Sequence, residues 1–324
     1  MPRLHLLHAV ALAASLAACG GGGSSGSKSD TLPPTQVDCK KGSAKLTGHF
    51  TSPNGAVPVA GGIVTVASAP GCTASTGGDG AFELDGLTPG ATTVTIERGH
   101  FHGSGPATPG TPVTVKIDAT AVKIGYVPGD FDSIEAVVAG LGFTPVPLSM
   151  GALAQAATDL ASYDVLLLNC GLDESYFADN ATKAALVGWV NAGGVLYASD
   201  YAGIYVDSYF NGKVKYLSPD MYQGVDGTQT AKVEDEALAR ALGKTTAEIN
   251  FDLGAWVVMN GVGTGTDVLL SGPVDTFDVG KLTGKPYAVQ FAAGAGRVTF
   301  TSFHDEAQTT ADMQTLLEQM VFGL

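Results

Sequence analysis

Asp164-Val165-Leu166-Leu167-Leu168-Asn169, then Ala181 to Asn191, then Val195-Leu196-Tyr197-Ala198-Ser199: these segments of the 324-residue chain decide the fold. The first and last are runs of apolar residues without alternation. A strand wetted on one face alternates, so these strands are covered on both faces. The segment between them reads as a helix and stops at Gly193-Gly194. Strand, helix and strand in that order predict neighbouring parallel strands.

Working outward, Val122-Lys123-Ile124-Gly125-Tyr126-Val127 reads as another buried strand, and Phe131 to Leu141 as a helix ended by Gly142. Thr144-Pro145-Val146-Pro147 is a weaker strand, whose two prolines suit only a sheet edge. Residues 205–295 are less regular, with several strands and a helix around Glu236–Leu242. Arg297 to Phe303 is a last strand and Thr310–Val321 a closing helix. Before residue 120 the pattern differs. Ile63, Val64, Val66, Phe82, Leu84, Val94, Ile96, Val113, Val115 and Ile117 mark short strands between turns such as Pro53-Asn54-Gly55 and Gly77-Gly78-Asp79-Gly80. That grammar predicts an antiparallel sandwich. The expected fold class is therefore multi-domain: a small antiparallel β-sandwich over 39–120 and an α/β flavodoxin-like parallel sheet over 121–324.

The run Gly78-Asp79-Gly80-Ala81-Phe82-Glu83-Leu84-Asp85-Gly86-Leu87-Thr88-Pro89-Gly90, preceded by Thr47-Gly48-His49-Phe50, resembles the signature of carboxypeptidase regulatory-like domains. The resemblance implies a module that serves as a spacer or binds carbohydrate. The aromatic residues for stacking a sugar would be Phe50, Phe82 and Phe101. His100 and His102 alternate at a strand end without a third metal ligand nearby, and read as exposed loop histidines.

Residues 1–18 carry Arg3 and an apolar run from about Leu6 to Ala18, shorter than the roughly 20 residues that span a bilayer. Leu16-Ala17-Ala18-Cys19 resembles the lipobox of bacterial lipoproteins, in which the cysteine is lipidated. The resemblance implies a signal peptide, a membrane anchor at Cys19 and, with Gly20 following, an outer-membrane lipoprotein facing the periplasm or the cell surface. Residues 19–38 form a Gly/Ser-rich tether with a typical span of about 25 Å. Cys39 and Cys72 would face an oxidising compartment and are expected to pair as a disulfide. The formal net charge is -14 and becomes -15 once Arg3 leaves with the leader. So acidic a chain is a poor partner for nucleic acid.

Chemistry in a parallel sheet collects beyond the carboxyl ends of its strands. Those ends carry Pro128-Gly129-Asp130, Asn169-Cys170-Gly171, Ser199-Asp200 and His304-Asp305-Glu306. Phe303-His304-Asp305-Glu306 resembles the His-x-Glu element of the class I glutamine amidotransferase-like superfamily, including its ThuA-like branch. The resemblance implies acyl transfer: Ser199 at the nucleophile elbow, His304 as base, Glu306 orienting it, and amides of Asn169-Cys170-Gly171 binding the oxyanion.

An elbow needs small residues two away from the nucleophile, and Ser199 has Tyr197 and Tyr201 there. Ser199 also reads as a helix cap. Cys170 reads either as a displaced nucleophile or as a small buried residue. Asp130, Asp132, Asp173, Asp200 and Asp305 could hold Ca²⁺ or Mg²⁺, but without an Asp-x-Asp-x-Asp-Gly run they read as helix caps. The preferred reading is a non-catalytic binding protein, with a ligand at Asp130, Asn169, Cys170, Asp200 and Asp305 or on the sandwich; the runner-up is a Ser199–His304–Glu306 hydrolase. The sequence gives no reason to expect a cofactor or a resident metal.

Overall fold

The computed structural model describes residues 37–155, 160–304 and 310–323. The leader, Cys19, most of the tether, Asp305 and Glu306 lie outside the described residues.

Eight short strands open the described chain: β1 (Val37–Asp38), β2 (Ala44–Thr51), β3 (Ile63–Val66), β4 (Thr73–Ser75), β5 (Ala81–Leu87), β6 (Thr92–Arg98), β7 (Phe101–Ala107) and β8 (Val113–Lys116). They form two four-stranded sheets, ordered β1-β5-β2-β8 and β4-β3-β6-β7. Alternation chooses their inner faces: in β2, Leu46 and Phe50 point inward while Lys45 and His49 stay in water. Leu46, Phe50, Val64, Phe82, Val94 and Ile96 share one hydrophobic cluster. The Asp79-Gly80 turn works as its residues dictate. Asp79 Oδ1 accepts from the Ala81 amide at 3.0 Å, and Gly80 takes a φ of +72° where a Cβ would strike the Phe50 carbonyl. The Cys39–Cys72 disulfide closes a loop of sequence separation 33. Restricting the unfolded chain in this way contributes about 4 kcal/mol.

The rest of the chain builds one nine-stranded sheet from β9 (Ile124–Val127), β10 (Val146–Pro147), β11 (Val165–Leu168), β12 (Val195–Ser199), β14 (Gly227–Val233), β15 (Thr246–Phe251), β17 (Thr266–Thr276), β18 (Gly280–Ala293) and β19 (Gly296–Thr301). Its order is β10-β9-β11-β12-β19-β18-β17-β14-β15. The first five strands are parallel; from β18 outward the pairing is antiparallel. Residues 205–295 thus extend the sheet itself. A separate two-stranded ribbon pairs β13 (Val214–Tyr216) with β16 (Met259–Val262).

Six α-helices are described: α1 (Ile134–Gly140), α2 (Met150–Gln155), α3 (Asn180–Asn191), α4 (Gly203–Tyr209), α5 (Glu236–Leu242) and α6 (Ala311–Phe322). None is long and apolar enough to cross a membrane. Asp179 and Thr310 cap α3 and α6 by accepting from the amides of Thr182 and Met313. The helix expected from Phe131 begins only at Ile134, because the Phe131 amide donates to the Cys170 carbonyl at 3.2 Å. That segment is held across the end of β11 before it can coil.

Strands β11 and β12 are buried along their whole length. Leu166, Leu168, Leu196 and Ala198 pack with side chains of α2, α3 and α4. Val165, Leu167, Val195 and Tyr197 pack on the opposite face with those of α1 and α6. The latter cluster runs on into the two small sheets. Phe101 lies 5.1 Å from Phe143 and 6.3 Å from Phe322, centroid to centroid. Gln319 of α6 donates to the Pro58 carbonyl at 2.8 Å and accepts from the Ala60 amide at 3.2 Å.

Candidate functional site

The carboxyl ends of β11, β12 and β19 bring Asn169, Cys170, Ser199, Asp200 and His304 together, and the pleat divides them between two sides. Successive side chains point to opposite faces. Ser199 continues the Val195/Tyr197 side, whereas Cys170 continues the Leu166/Leu168 side.

On the α1 side the polar groups are linked in one hydrogen-bonded network. Ser199 is fully buried; its hydroxyl donates to Asp132 Oδ2 in a short hydrogen bond and accepts from the Cys170 amide at 3.0 Å. Asp132 Oδ1 accepts from the Ser133 amide at 2.7 Å. Asn169 Nδ2 donates to Glu135 Oε2 at 2.6 Å and to the Asp132 carbonyl at 3.2 Å. Asn169 Oδ1 is buried without a hydrogen-bond partner among the described residues.

On the other side lie Cys170, Asp200 and His304, all buried. One potential ligand atom from each lies within 4.8 Å of the others. Cys170 Sγ donates to Asp200 Oδ2 at 3.6 Å, and the Val257 amide donates to Asp200 Oδ1 at 2.6 Å. His304 Nε2 lies 3.5 Å from Asp252 Oδ1. Burial pushes the Asp200 carboxyl up to about 8, with Asp132 and Asp252 adding to the rise and the Val257 amide and Cys170 opposing it. Burial, reinforced by Asp200, pushes the Cys170 thiol well above its ordinary range. With 0% of its surface exposed, Cys170 has the surroundings of the small buried residue that the sequence also allowed.

The strained backbone position lies one residue beyond Ser199. Ser199 has the extended backbone of a strand end, with φ of -122°, and caps no helix through its side chain. Asp200 takes a φ of +40°, the left-handed region that only glycine enters freely. Its neighbours two away are Ala198 and Ala202, both fully buried. The small-x-x-x-small pattern that an elbow requires is therefore present in the sequence, centred on Asp200.

The oxyanion expectation also changes. The Asn169 amide donates to the Val127 carbonyl at 3.3 Å and the Cys170 amide to Ser199, so neither points at a ligand.

Among the described residues the carboxylates do not gather as an all-oxygen cage. Asp130 is exposed, Asp173 is exposed and caps the turn at Glu174–Tyr176, Asp132 faces Ser199, and Asp200 faces Cys170. His100 and His102 are exposed. Phe50, Phe82 and Phe101 are at most 2% exposed and fill the interior, so none offers a sugar a surface. Sequence reasoning passed over Asp252 and Val257. They belong to the segment that follows β15, where no periodic signal pointed back to the strand ends. A second unforeseen feature is an aromatic row on the rim: Phe131, Tyr201 and Tyr222 meet edge to face at 5.9 and 5.1 Å.

No family model matches the chain, and no curated protein does. Among solved structures it is similar to a ThuA-like protein from Parabacteroides merdae, with 14% identity, a TM-score of 0.45, and coverage of 61% of this chain and 88% of that one. It is also similar to a ThuA-like protein from Bacteroides uniformis, with 14% identity, a TM-score of 0.42, and coverage of 62% and 89%. A β-galactosidase from Bacillus circulans matches at 12% identity and a TM-score of 0.39, over 63% of this chain and 30% of that one. These likenesses are distant, and the chemistry of the site follows from its own residues.

Proposed function

We propose that this chain is a non-catalytic, lipid-anchored protein of the bacterial cell envelope that binds a ligand at the carboxyl end of its parallel strands. One observation carries the non-catalytic reading: the left-handed elbow position holds Asp200, not a serine or cysteine. An aspartate there supplies neither the hydroxyl nor the thiol through which acyl transfer of this kind proceeds. Ser199, one residue earlier, is buried and tied to Asp132 and the Cys170 amide. In this reading residues 39–120 are a carboxypeptidase regulatory-like sandwich and residues 121–324 an amidotransferase-like, ThuA-like domain that has kept the frame and lost the nucleophile.

Export is supported by the leader, by the Cys19 lipobox and by the Cys39–Cys72 disulfide, since such bonds persist in oxidising compartments. Binding is assigned to the α/β unit because the aromatics of the small sheets are interior.

The test is a fluorophosphonate probe applied to the purified chain over a range of pH. The expected result is no labelling of the native protein. Labelling of the wild type that disappears in Ser199→Ala would overturn the non-catalytic reading and restore the hydrolase.

A further inference from the structure

We propose that Cys170, Asp200 and His304 bind a thiolate-preferring divalent transition metal of the zinc class. This deepens the strand-end reading above and rests on it, because it names the ligand of that same site.

Three features of the chain converge here. First, the donors come from separate places in the sequence, just after β11, β12 and β19, and the sheet brings them within 4.8 Å of one another. The pleat places Cys170 and the chain reversal at Asp200 turned to it on one side, away from Ser199.

Second, the spacing suits a tetrahedral ion. Metal–sulfur and metal–oxygen bonds of about 2.3 and 2.1 Å at a tetrahedral angle put the two donors about 3.6 Å apart. Cys170 Sγ and Asp200 Oδ2 are 3.6 Å apart. A thiolate, an imidazole and one carboxylate select a zinc-like ion, whereas Ca²⁺ and Mg²⁺ demand more oxygen donors.

Third, the supporting contacts orient the donors. The Val257 amide holds Asp200 Oδ1, which leaves Oδ2 facing the sulfur. The Asp252 carboxylate stands beside the His304 ring, as an outer carboxylate does beside many ligating histidines. Asp132, Asp200 and Asp252 bring three carboxyl groups to this end of the sheet, and a dication favours their ionised form. The fold also keeps an aspartate in a left-handed backbone position that glycine would occupy without strain.

Binding displaces two protons to solvent below about pH 8, one from the Cys170 thiol as the sulfur–metal bond forms and one from the Asp200 carboxyl as the oxygen–metal bond forms. Three protein donors leave one tetrahedral position for water or an incoming anionic group.

The experiment uses the full chain carrying Cys19→Ser. Cys170 is then the one thiol beside the Cys39–Cys72 pair. The protein is stripped with chelator and titrated with Co²⁺. The expected result is saturation at one ion per chain, with a sulfur-to-cobalt charge-transfer band and tetrahedral visible bands that Zn²⁺ erases. Cys170→Ser is expected to lose the charge-transfer band. Asp252→Asn is expected to keep the band and bind about ten- to a hundredfold more weakly. Circular dichroism checks that each variant is folded; should Cys170→Ser not fold, His304→Gln takes its place, and the expected result is loss of the tetrahedral visible bands.

No saturable uptake by the folded parent chain overturns the proposal, as does a charge-transfer band unchanged in folded Cys170→Ser or visible bands unchanged in folded His304→Gln. The two readings fail separately: Ser199 labelling by the fluorophosphonate overturns the non-catalytic reading whatever the metal does, and a chain that refuses both probe and cobalt overturns the metal alone.

Discussion

Two polar groups sit at the same edge of the same sheet, one on each side, and they are built on opposite principles. On the α1 side, the Ser199 hydroxyl and both Asp132 carboxylate oxygens have hydrogen-bond partners, and the backbone at Ser199 is relaxed. On the other side, burial raises the pKa of a carboxyl and of a thiol, and the backbone at Asp200 is strained. A satisfied network stabilises the fold. A crowded and strained one lowers stability, and such sites persist where function needs them. Of the residues that resembled catalytic machinery in the sequence, Ser199 lies on the satisfied side and His304 on the crowded one.

Three measurements on chelator-treated protein can break or sharpen this contrast. Ser199→Ala is expected to have the largest effect. It removes the donor to a buried carboxylate and the acceptor for the Cys170 amide, for a loss of about 2–3 kcal/mol in urea unfolding with an unchanged m-value. A neutral result would mean that the α1-side network is not structural.

Asp200→Asn should come next and have the opposite sign. The folded carboxyl keeps its proton up to about pH 8, whereas in the unfolded chain it ionises near pH 4, by the usual value of about 3.9. Between those limits the unfolded state holds fewer protons, so the contribution of Asp200 to stability falls as pH rises. The variant should melt with the wild type near pH 4 and above it at pH 8, by on the order of 2 kcal/mol after relaxation of the site. A gap that does not change with pH would show that Asp200 is not the buried acid described.

Cys170→Ala should have the smallest effect, about 1 kcal/mol, since it removes one small side chain and one weak donor. If it matched Ser199→Ala, the asymmetry between the two sides would be lost.

Much of the parallel half was legible because its physics is local. Unbroken apolar runs such as Val165–Leu168 can only be strands covered twice, and the helix expected from Ala181 to Asn191 forms as Asn180–Asn191 behind its cap Asp179. The antiparallel half was harder to read. Strands β17 and β18 pair with register shifts between Val268 and Leu270, Leu270 and Ser271, and Gly272 and Val274. Each shift breaks the period-two signal that marks a strand.

At the site, Ala198 and Ala202 stand two residues either side of the strained Asp200, but a search for a hydroxyl or thiol nucleophile stops at Ser199. Asp252 could not be found from the sequence, because only tertiary folding brings the segment after β15 to the ring of His304.

Helix α6 is gripped from both directions, by the nine-stranded sheet beneath it and by Pro58, Ala60 and Phe101 above. The two units therefore turn together. Whatever fixes the heading of residue 37 also aims the far rim of the sheet.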